Sequence, residues 1–432
     1  MAGKFSKKPQ PGGWVLGGVL ILLLIAALFF GARWVLRASK GQKQAEALDE
    51  KPPVTAEAAP EAPEPEQKVQ PEQLPETSLP EQPVQEVPAE AEPEPARVTL
   101  MALGDNLIHN TVYWSAETGD GGYDFSPFYE TIAQVAAQYD IACINQETIL
   151  VENPALYDNY PSFGSPVQVA DALAGAGFSV ITGATNHCFD KGETGILDTC
   201  RYWRENYPEI TTLGIHDTEQ DAKTLRVVEK NGICIAMLNY TYGLNGGAPG
   251  KAWMVDRLTT FDTVREDLKR AKEAADFVIV FVHWGEEGEF RPNQYQKDWA
   301  KVLADGGADL IIGAHPHVVQ PVQVQTADDG REVPVFYSLG NFLSHQTEPQ
   351  NMLGGMASVT ICMEGGRAAI EDYALVPTVN LITRNAETGW YLYQPMLLPD
   401  YTPELAAQHR FPACTAEYMN QLFESIISGT AG

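Results

Sequence analysis

From Arg97 onward, short apolar runs alternate with amphipathic stretches, and run after run ends in a residue able to do chemistry. That alternation restricts the chain to an α/β fold. Strands are expected over Val98 to Gly104, Ile141 to Ile144, Phe178 to Ile181, Phe277 to Val282 and Leu310 to Gly313. Helical spacing falls between them, at Pro127 to Tyr139, Pro166 to Ala176, Gly195 to Tyr207, Phe261 to Ala275 and Asn293 to Leu303. Asn231-Gly232 between two apolar runs marks a β-hairpin. Further strands over Val333 to Phe342 and Ala357 to Pro377, the latter with a Gly365-Gly366 turn, make the sheets mixed. A last helical pattern lies near Ala416 to Ile427.

The polar residues fall at the strand ends. The first strand leads to Asp105, with His109 four residues on, and the second to Asn145-Gln146-Glu147. The third runs into Asn186-His187 and Asp190, and the next into His283-Trp284-Gly285-Glu286. His315-Pro316-His317 follows the fifth, and Asn341 sits near the end of a later one. Ligands of α/β sheets bind beyond the carboxyl ends of strands, so these residues are expected to converge on one site. In an extended backbone His315 and His317 would face the same side, with Pro316 stiffening the presentation. Carboxylate, amide and imidazole donors without a thiolate suit Mn, Fe or Zn, as one ion or as a pair about 3.5 to 4 Å apart. Such ions activate water at neutral pH and offset charge on a phosphoryl or carboxylate group.

Ahead of Arg97 the composition changes twice. Lys4, Lys7 and Lys8 precede an apolar run from Trp14 to Phe30 that continues to Leu36, broken only by Arg33. A bilayer takes roughly 20 apolar residues, so residues 14–36 read as a single transmembrane signal-anchor after a short cytoplasmic N-terminus, residues 1–13. A cleavable signal peptide is the competing reading, but no small-x-small cleavage site follows. Basic residues lie on both sides (Arg37, Lys40 and Lys43 on the far one), so their bias does not set the orientation; the short N-terminus favours the body outside the cell. Pro52 to Ala96 holds twelve prolines, eleven Glu and one Lys with no aromatic residue. It cannot bury a core, and residues 37–96 read as a disordered linker, whose last 45 residues would reach about 140 Å in an extended form. This segment carries −10 of the formal charge of −28. A chain so acidic is not expected to bind nucleic acid, which wants a basic face. Six cysteines stand at irregular spacings without a CxxC pair, and name no disulfide.

The motifs GD, NxE, NHxxDxG, HWGxE, GxHPHV and SLGNF, in that order, resemble the CapA family of capsule and poly-γ-glutamate synthesis proteins. That family is similar to the calcineurin-like metallophosphoesterases, which implies a four-layer α/β sandwich, helices outside two facing mixed sheets. The resemblance covers about Arg97 to Leu381, leaving residues 382–432 as a C-terminal extension packing on the domain. It implies that Asp105 and His317 hold a first metal, that Glu147 bridges, and that Asn186, His283 and His315 hold a second. His187 becomes the histidine that contacts substrate or protonates a leaving group, oriented by Asp190. The superfamily pattern opens with DxH, but Leu107 occupies the third position, which leaves His109 as the candidate imidazole from the following turn.

Glu286 and Asn341 are candidate substrate contacts, whereas Glu193 and His345 are read as loop residues and Trp284 as packing beside the site. His216 and His409, with no motif around them, are read as surface residues. Two functions stay open. One is a metal-dependent hydrolase at the cell surface acting on a phosphoester or an anionic polymer such as poly-γ-glutamate. The other is a nonenzymatic polymer-binding or scaffold subunit beside membrane-bound synthase subunits. A sugar- or peptide-binding module has only the Tyr and Trp content behind it.

Overall fold

The structure, a computed structural model, describes residues 95–386 and 388–431. The expected segment 1–13, the span 14–36 and all but the last two residues of the linker lie outside the described residues. Among the described residues no helix is long and apolar enough to cross a membrane.

The described strands, in chain order, are β1 (Arg97–Asn106), β2 (Ile141–Gln146), β3 (Leu150–Val151), β4 (Ser165–Pro166), β5 (Val180–Thr182), β6 (Thr211–Leu213), β7 (Arg226–Lys230), β8 (Ile233–Thr241), β9 (Phe277–His283), β10 (Leu310–Ala314), β11 (Val319–Thr326), β12 (Glu332–Leu339), β13 (Asn341–Leu343), β14 (Leu353–Glu364), β15 (Arg367–Arg384) and β16 (Tyr391–Leu397). One sheet runs β16-β15-β14-β1-β2-β5-β6, with β13 also beside β1. A second runs β11-β12-β10-β9-β8-β7, and β3 pairs with β4 apart from both. In the first sheet the pairs from β16 to β1 are antiparallel and those from β1 to the β6 edge parallel, whereas in the second parallel pairs occupy the middle and antiparallel pairs both flanks.

Strand alternation creates the layers. Val98, Leu100 and Ala102 of β1 enter the core shared with Phe277, Ile279 and Phe281 of β9, so the two sheets face each other across it. Met101 and Leu103 point the opposite way, into a core closed by the helices Ser126–Ala136 and Gln168–Gly175. Val278, Val280 and Val282 likewise turn outward under Phe261–Ala274 and Gln294–Gly306. Val264, Leu268 and Ala271 recur on one face of the first of these helices, which is why it lies flat on its sheet. The second begins with a reciprocal cap between Asn293 and Gln296 and stops at Gly307, whose φ of 118° favours glycine. The result is a helix, sheet, sheet, helix sandwich.

Residues 382–431 are woven into it. β15 runs through the expected boundary at residue 381, and β16 pairs with it to complete the sheet edge. Met419 and Ile426, from the helix Ala416–Ile427, join the same core as Val379 and Tyr393. The β7–β8 hairpin turns at Asn231 and Gly232 with φ of 50° and 80°, as a two-residue primed turn requires. All six cysteines are free thiols.

Candidate metal centre

Parallel register sets the site. The last residues of the central strands line up in rows: Asp105 opposite Asn145, itself opposite Thr182, in one sheet, and Ala314 opposite His283 in the other. Asp105 also lies opposite Asn341 of β13. Close backbone approach makes that last pairing possible, since a Cβ on Gly104 would collide with the Gly340 carbonyl, and the Asp105 N–H donates to that carbonyl at 2.8 Å.

The histidine turn differs from the expected extended strand. β10 stops at Ala314, and His315 and His317 have φ of 101° and 58°. Left-handed backbone at such residues costs about 1–3 kcal/mol and persists only where surroundings impose it. Here the His315 N–H points at both Asp105 carboxylate oxygens, 3.3 Å from each. The two imidazoles converge through a turn and not through strand alternation.

Six expected residues meet around one buried carboxylate. Ligand atoms of Asp105, Glu147 and His317 lie within 4.8 Å of one another, as do those of Glu147, His283 and His315. Glu147 is common to both groups and fully buried, and neither of its carboxylate oxygens has a hydrogen-bond partner. His283 Nε2 and His317 Nε2 each stand 3.7 Å from Glu147 Oε1, beyond hydrogen-bond distance. His283 Nε2 is 2.8 Å from the Asn186 side-chain oxygen. His317 Nδ1 is 3.0 Å from both Asp105 Oδ2 and Asn341 Oδ1, and Asn145 donates to Asp105 Oδ1 at 2.8 Å. The Nδ1 of His315 is buried without a partner.

Burial pushes Glu147 well above the ordinary carboxylate range, with the Asp105 charge adding to it against the opposing pull of His317. Burial also drives His283 and His315 far down, and neighbouring imidazoles add to it, His315 and His317 on the first and His317 and His187 on the second. His317 would fall too, but the Glu147 and Asp105 carboxylates outweigh burial and hold it at about 10. Two neutral imidazoles, His283 and His315, and an unpartnered buried carboxylate are what a divalent cation satisfies, so the donor set fits one or two such ions.

Beside this group, His187 Nδ1 lies 2.6 Å from Asp190 Oδ2, which also accepts from the Phe163 N–H at 2.8 Å. Asp190 accepts, so Nδ1 carries the proton, and Nε2 faces the Asn245 amide at 3.4 Å. Phe163 buttresses the His187 ring edge-on at 4.7 Å.

Other expectations change. His109 lies outside both groups: its Nδ1 takes the His345 N–H at 3.1 Å, its ring meets Phe163 edge-on, and burial lowers it to about 3. Asn341 is buried, its oxygen on His317 and its NH2 donating to Gln346 and the Asn351 carbonyl, so it positions an imidazole and does not face a substrate. Glu286 is exposed beyond the groups; counted from His283, the HWGxE spacing reaches Glu287, whose charge Glu147 and His317 register. His216 and His409 are 5% exposed and are not surface residues. Asn245 was not foreseen, because the segment after β8 carries no motif. Nor was the Asn106–Gln146–Tyr129 network, with bonds of 2.7 and 2.9 Å behind the strand ends.

A two-sheet α/β sandwich with a carboxylate shared by two imidazole-bearing groups defines a candidate metal-binding domain. Residues 99–346 match the model of the bacterial capsule synthesis protein PGA_cap, and the chain belongs to that family. It is 29% identical over 269 residues to the capsule biosynthesis protein CapA of Bacillus anthracis, covering 59% of this chain and 61% of that one. It is 30% identical over 208 residues to the PGA biosynthesis protein CapA of Bacillus subtilis strain 168, covering 45% and 52%. The chain thus spans between half and two thirds of these curated relatives. Among solved structures, the calcineurin-like phosphoesterase YfkN of Bacillus subtilis is similar at 15% identity and a TM-score of 0.38, covering 66% of this chain and 90% of that one.

Proposed function

We propose that this chain is a metal-dependent phosphoester hydrolase serving capsule or poly-γ-glutamate synthesis. The observation that carries this reading is Glu147, buried, unpartnered and common to both ligand groups. Asp105, Glu147 and His317 would hold one ion, and Glu147, His283 and His315, with Asn186, the other. Mn, Fe or Zn bound there would polarise a phosphoryl oxygen and activate water. The chain's own part is then to place substrate and manage a proton. Water oxygen would form the new P–O bond as the ester P–O bond breaks, the water giving one proton to solvent; the departing oxygen would take its proton from Nε2 of the His187 imidazolium, which returns to the neutral Nδ1–H form and is reprotonated from solvent. Asp190 holds the ring in register through Nδ1, and the leaving group would lie beside Nε2, which faces the Asn245 amide.

Residues 14–36 would anchor the protein in the cell membrane as a single pass, with residues 37–96 as an extended acidic spacer and the domain outside. Partners would be an anionic polymer such as poly-γ-glutamate, or a phosphoester, together with membrane-bound synthase subunits. A second reading, a nonenzymatic polymer-binding subunit, draws on Leu107: the group around Asp105 contains a single imidazole.

The purified full chain, assayed with Mn2+ on a chromogenic phosphodiester, is expected to turn it over and to stop on EDTA treatment. A metal-loaded protein inert towards phosphoesters, yet retaining poly-γ-glutamate only with metal present, would establish the second reading instead. Protease added to intact cells should release the domain; full protection would contradict the outward orientation.

A further inference from the structure

Five aromatic side chains from four separate segments meet in one cluster outside both ligand groups. Tyr113 and Trp114 come from the helix Asn110–Ser115, and Tyr123 from a loop bridged back to Glu117. Tyr157 precedes the bridge between Asp158 and Gly164, and Trp390 lies in the turn joining β15 to β16. Their ring centroids form a continuous path: Trp390 to Trp114 at 5.7 Å, Trp114 to Tyr113 at 6.0 Å, Tyr113 to Tyr157 at 6.0 Å and Tyr157 to Tyr123 at 5.6 Å. Backbone bonds fix the segments. The Thr118 N–H donates to the Gly122 carbonyl at 2.9 Å, the Asp124 N–H to the Ala116 carbonyl at 2.8 Å, and the Tyr391 N–H to the Ser115 hydroxyl at 3.2 Å.

Packing accounts for the rings but not for their polar ends. Tyr129, Tyr202, Tyr240 and Tyr401 each give their hydroxyl to a protein acceptor. Among the described residues no hydrogen bond engages the hydroxyls of Tyr113, Tyr123 and Tyr157 or the indole N–H groups of Trp114 and Trp390. Tyr113 is the buried hub, the other four are half-buried, and all five polar ends reach solvent. The cluster thus offers rigid apolar rings together with unspent donors and acceptors.

Charge narrows the ligand. Between Arg97 and Lys191 the chain has no Lys or Arg, and Lys191 is held by Asp158 at 3.0 Å and Ser162 at 3.3 Å. The loops carrying Tyr123 and Tyr157 expose Glu117, Asp120, Asp124 and Asp158. Cations stand only at the Trp390 end, where the guanidiniums of Arg384 and Arg410 lie over the Tyr391 ring at 5.5 and 4.8 Å. A polyanion would meet the four carboxylates. So would the proline-rich residues 52–96 with their eleven Glu, although aromatic grooves do accept proline-rich segments. A neutral polyhydroxylated chain has no such conflict: its C–H faces stack on the rings, and its hydroxyls bond the polar ends and the flanking carboxylates.

We propose that this aromatic face binds a neutral glycan. The site is separate from the metal groups and stands whether or not they hydrolyse a phosphoester.

Titration calorimetry on the full chain tests it, in EDTA so that no metal bridges the ligand, with the tetramers of β-1,4-linked N-acetylglucosamine and of β-1,4-linked glucose as probes. At least one tetramer is expected to bind. Trp390→Ala and Tyr157→Ala should each weaken that binding about tenfold. Tyr157→Phe, which keeps the ring and removes only the hydroxyl, should weaken it about threefold. His315→Ala should bind the tetramer as the wild type does. Absence of binding by both tetramers, or undiminished binding in both alanine variants, overturns the proposal. An equal loss in His315→Ala would move the sugar to the metal groups and overturn it as well. Displacement of the tetramer by poly-γ-glutamate or by a peptide of residues 52–96 would overturn the assignment to a neutral ligand.

Discussion

Two clusters in this domain set a buried imidazole against two carboxylates, and they are built to opposite ends. His216 is clasped by Asp221 at 3.0 Å on Nδ1 and by Asp256 at 2.9 Å on Nε2, while Arg226 also binds Asp221. Burial would lower its pKa, but the two carboxylates prevail and hold it at about 9. Every ring donor is used, and both acids keep partial access to water. Around His317 the same ingredients leave a deficit: Glu147 has two bare oxygens, His315 a bare nitrogen, and three imidazoles crowd one carboxylate. A self-contained ion cluster holds structure, whereas a cluster short of positive charge is set up for something it lacks.

Removing ligands tests the second cluster most severely. The His315→Ala, His317→Ala double variant should lose metal-dependent phosphodiester hydrolysis by about 10^3-fold or more, with its far-UV circular dichroism unchanged. Asp190→Asn, which leaves both ligand groups intact, should lower kcat about 10^2-fold while metal content by elemental analysis stays at the wild-type level. Loss of metal from this variant would show that the dyad belongs to the ligand set and has no separate role.

The first cluster should answer in stability alone. His216→Asn removes the centre of the clasp, and since both acids are partly exposed the loss is discounted to about 1–2 kcal/mol in urea unfolding. Metal stoichiometry should not change. The pH dependence has a definite sign. The folded His216 titrates near 9, above the ordinary value of about 6.5 for an unfolded histidine. Its contribution is therefore complete below about 6.5 and is lost as pH rises through 9. The wild-type advantage over His216→Asn in urea midpoint should shrink over that window, and a constant gap would contradict the charged clasp.

The contrast also explains what could be read in the chain itself. Asp105, Glu147, Asn186, His283, His315 and His317 were legible because each terminates an apolar run, and parallel register then carries strand ends to one place. The turn that presents His315 and His317 was not, since a left-handed backbone at two non-glycine residues is imposed by the Asp105 carboxylate across 210 positions of chain. His216 reads as a surface residue in the sequence but is buried, for a similar reason. Its partners, Asp221 and Asp256, come from separate segments, and only the fold closes them over the ring. The HWGxE spacing counted from His283 ends on Glu287, whereas the polar run at the strand end already offers its neighbour Glu286. The resemblance stops at Leu381 while β15 runs on, because hydrogen bonding to β16 ignores the motif limit.

The claim at the centre of this account is that Glu147 joins two cation sites. Calorimetric titration of Mn2+ into metal-stripped full chain measures it directly. Two ions per chain should bind with release of protons, because His317, held at about 10, must give its proton up, and Glu147→Gln should weaken both binding events together. Failure to bind Mn2+, or undiminished binding of both ions by Glu147→Gln, would contradict it.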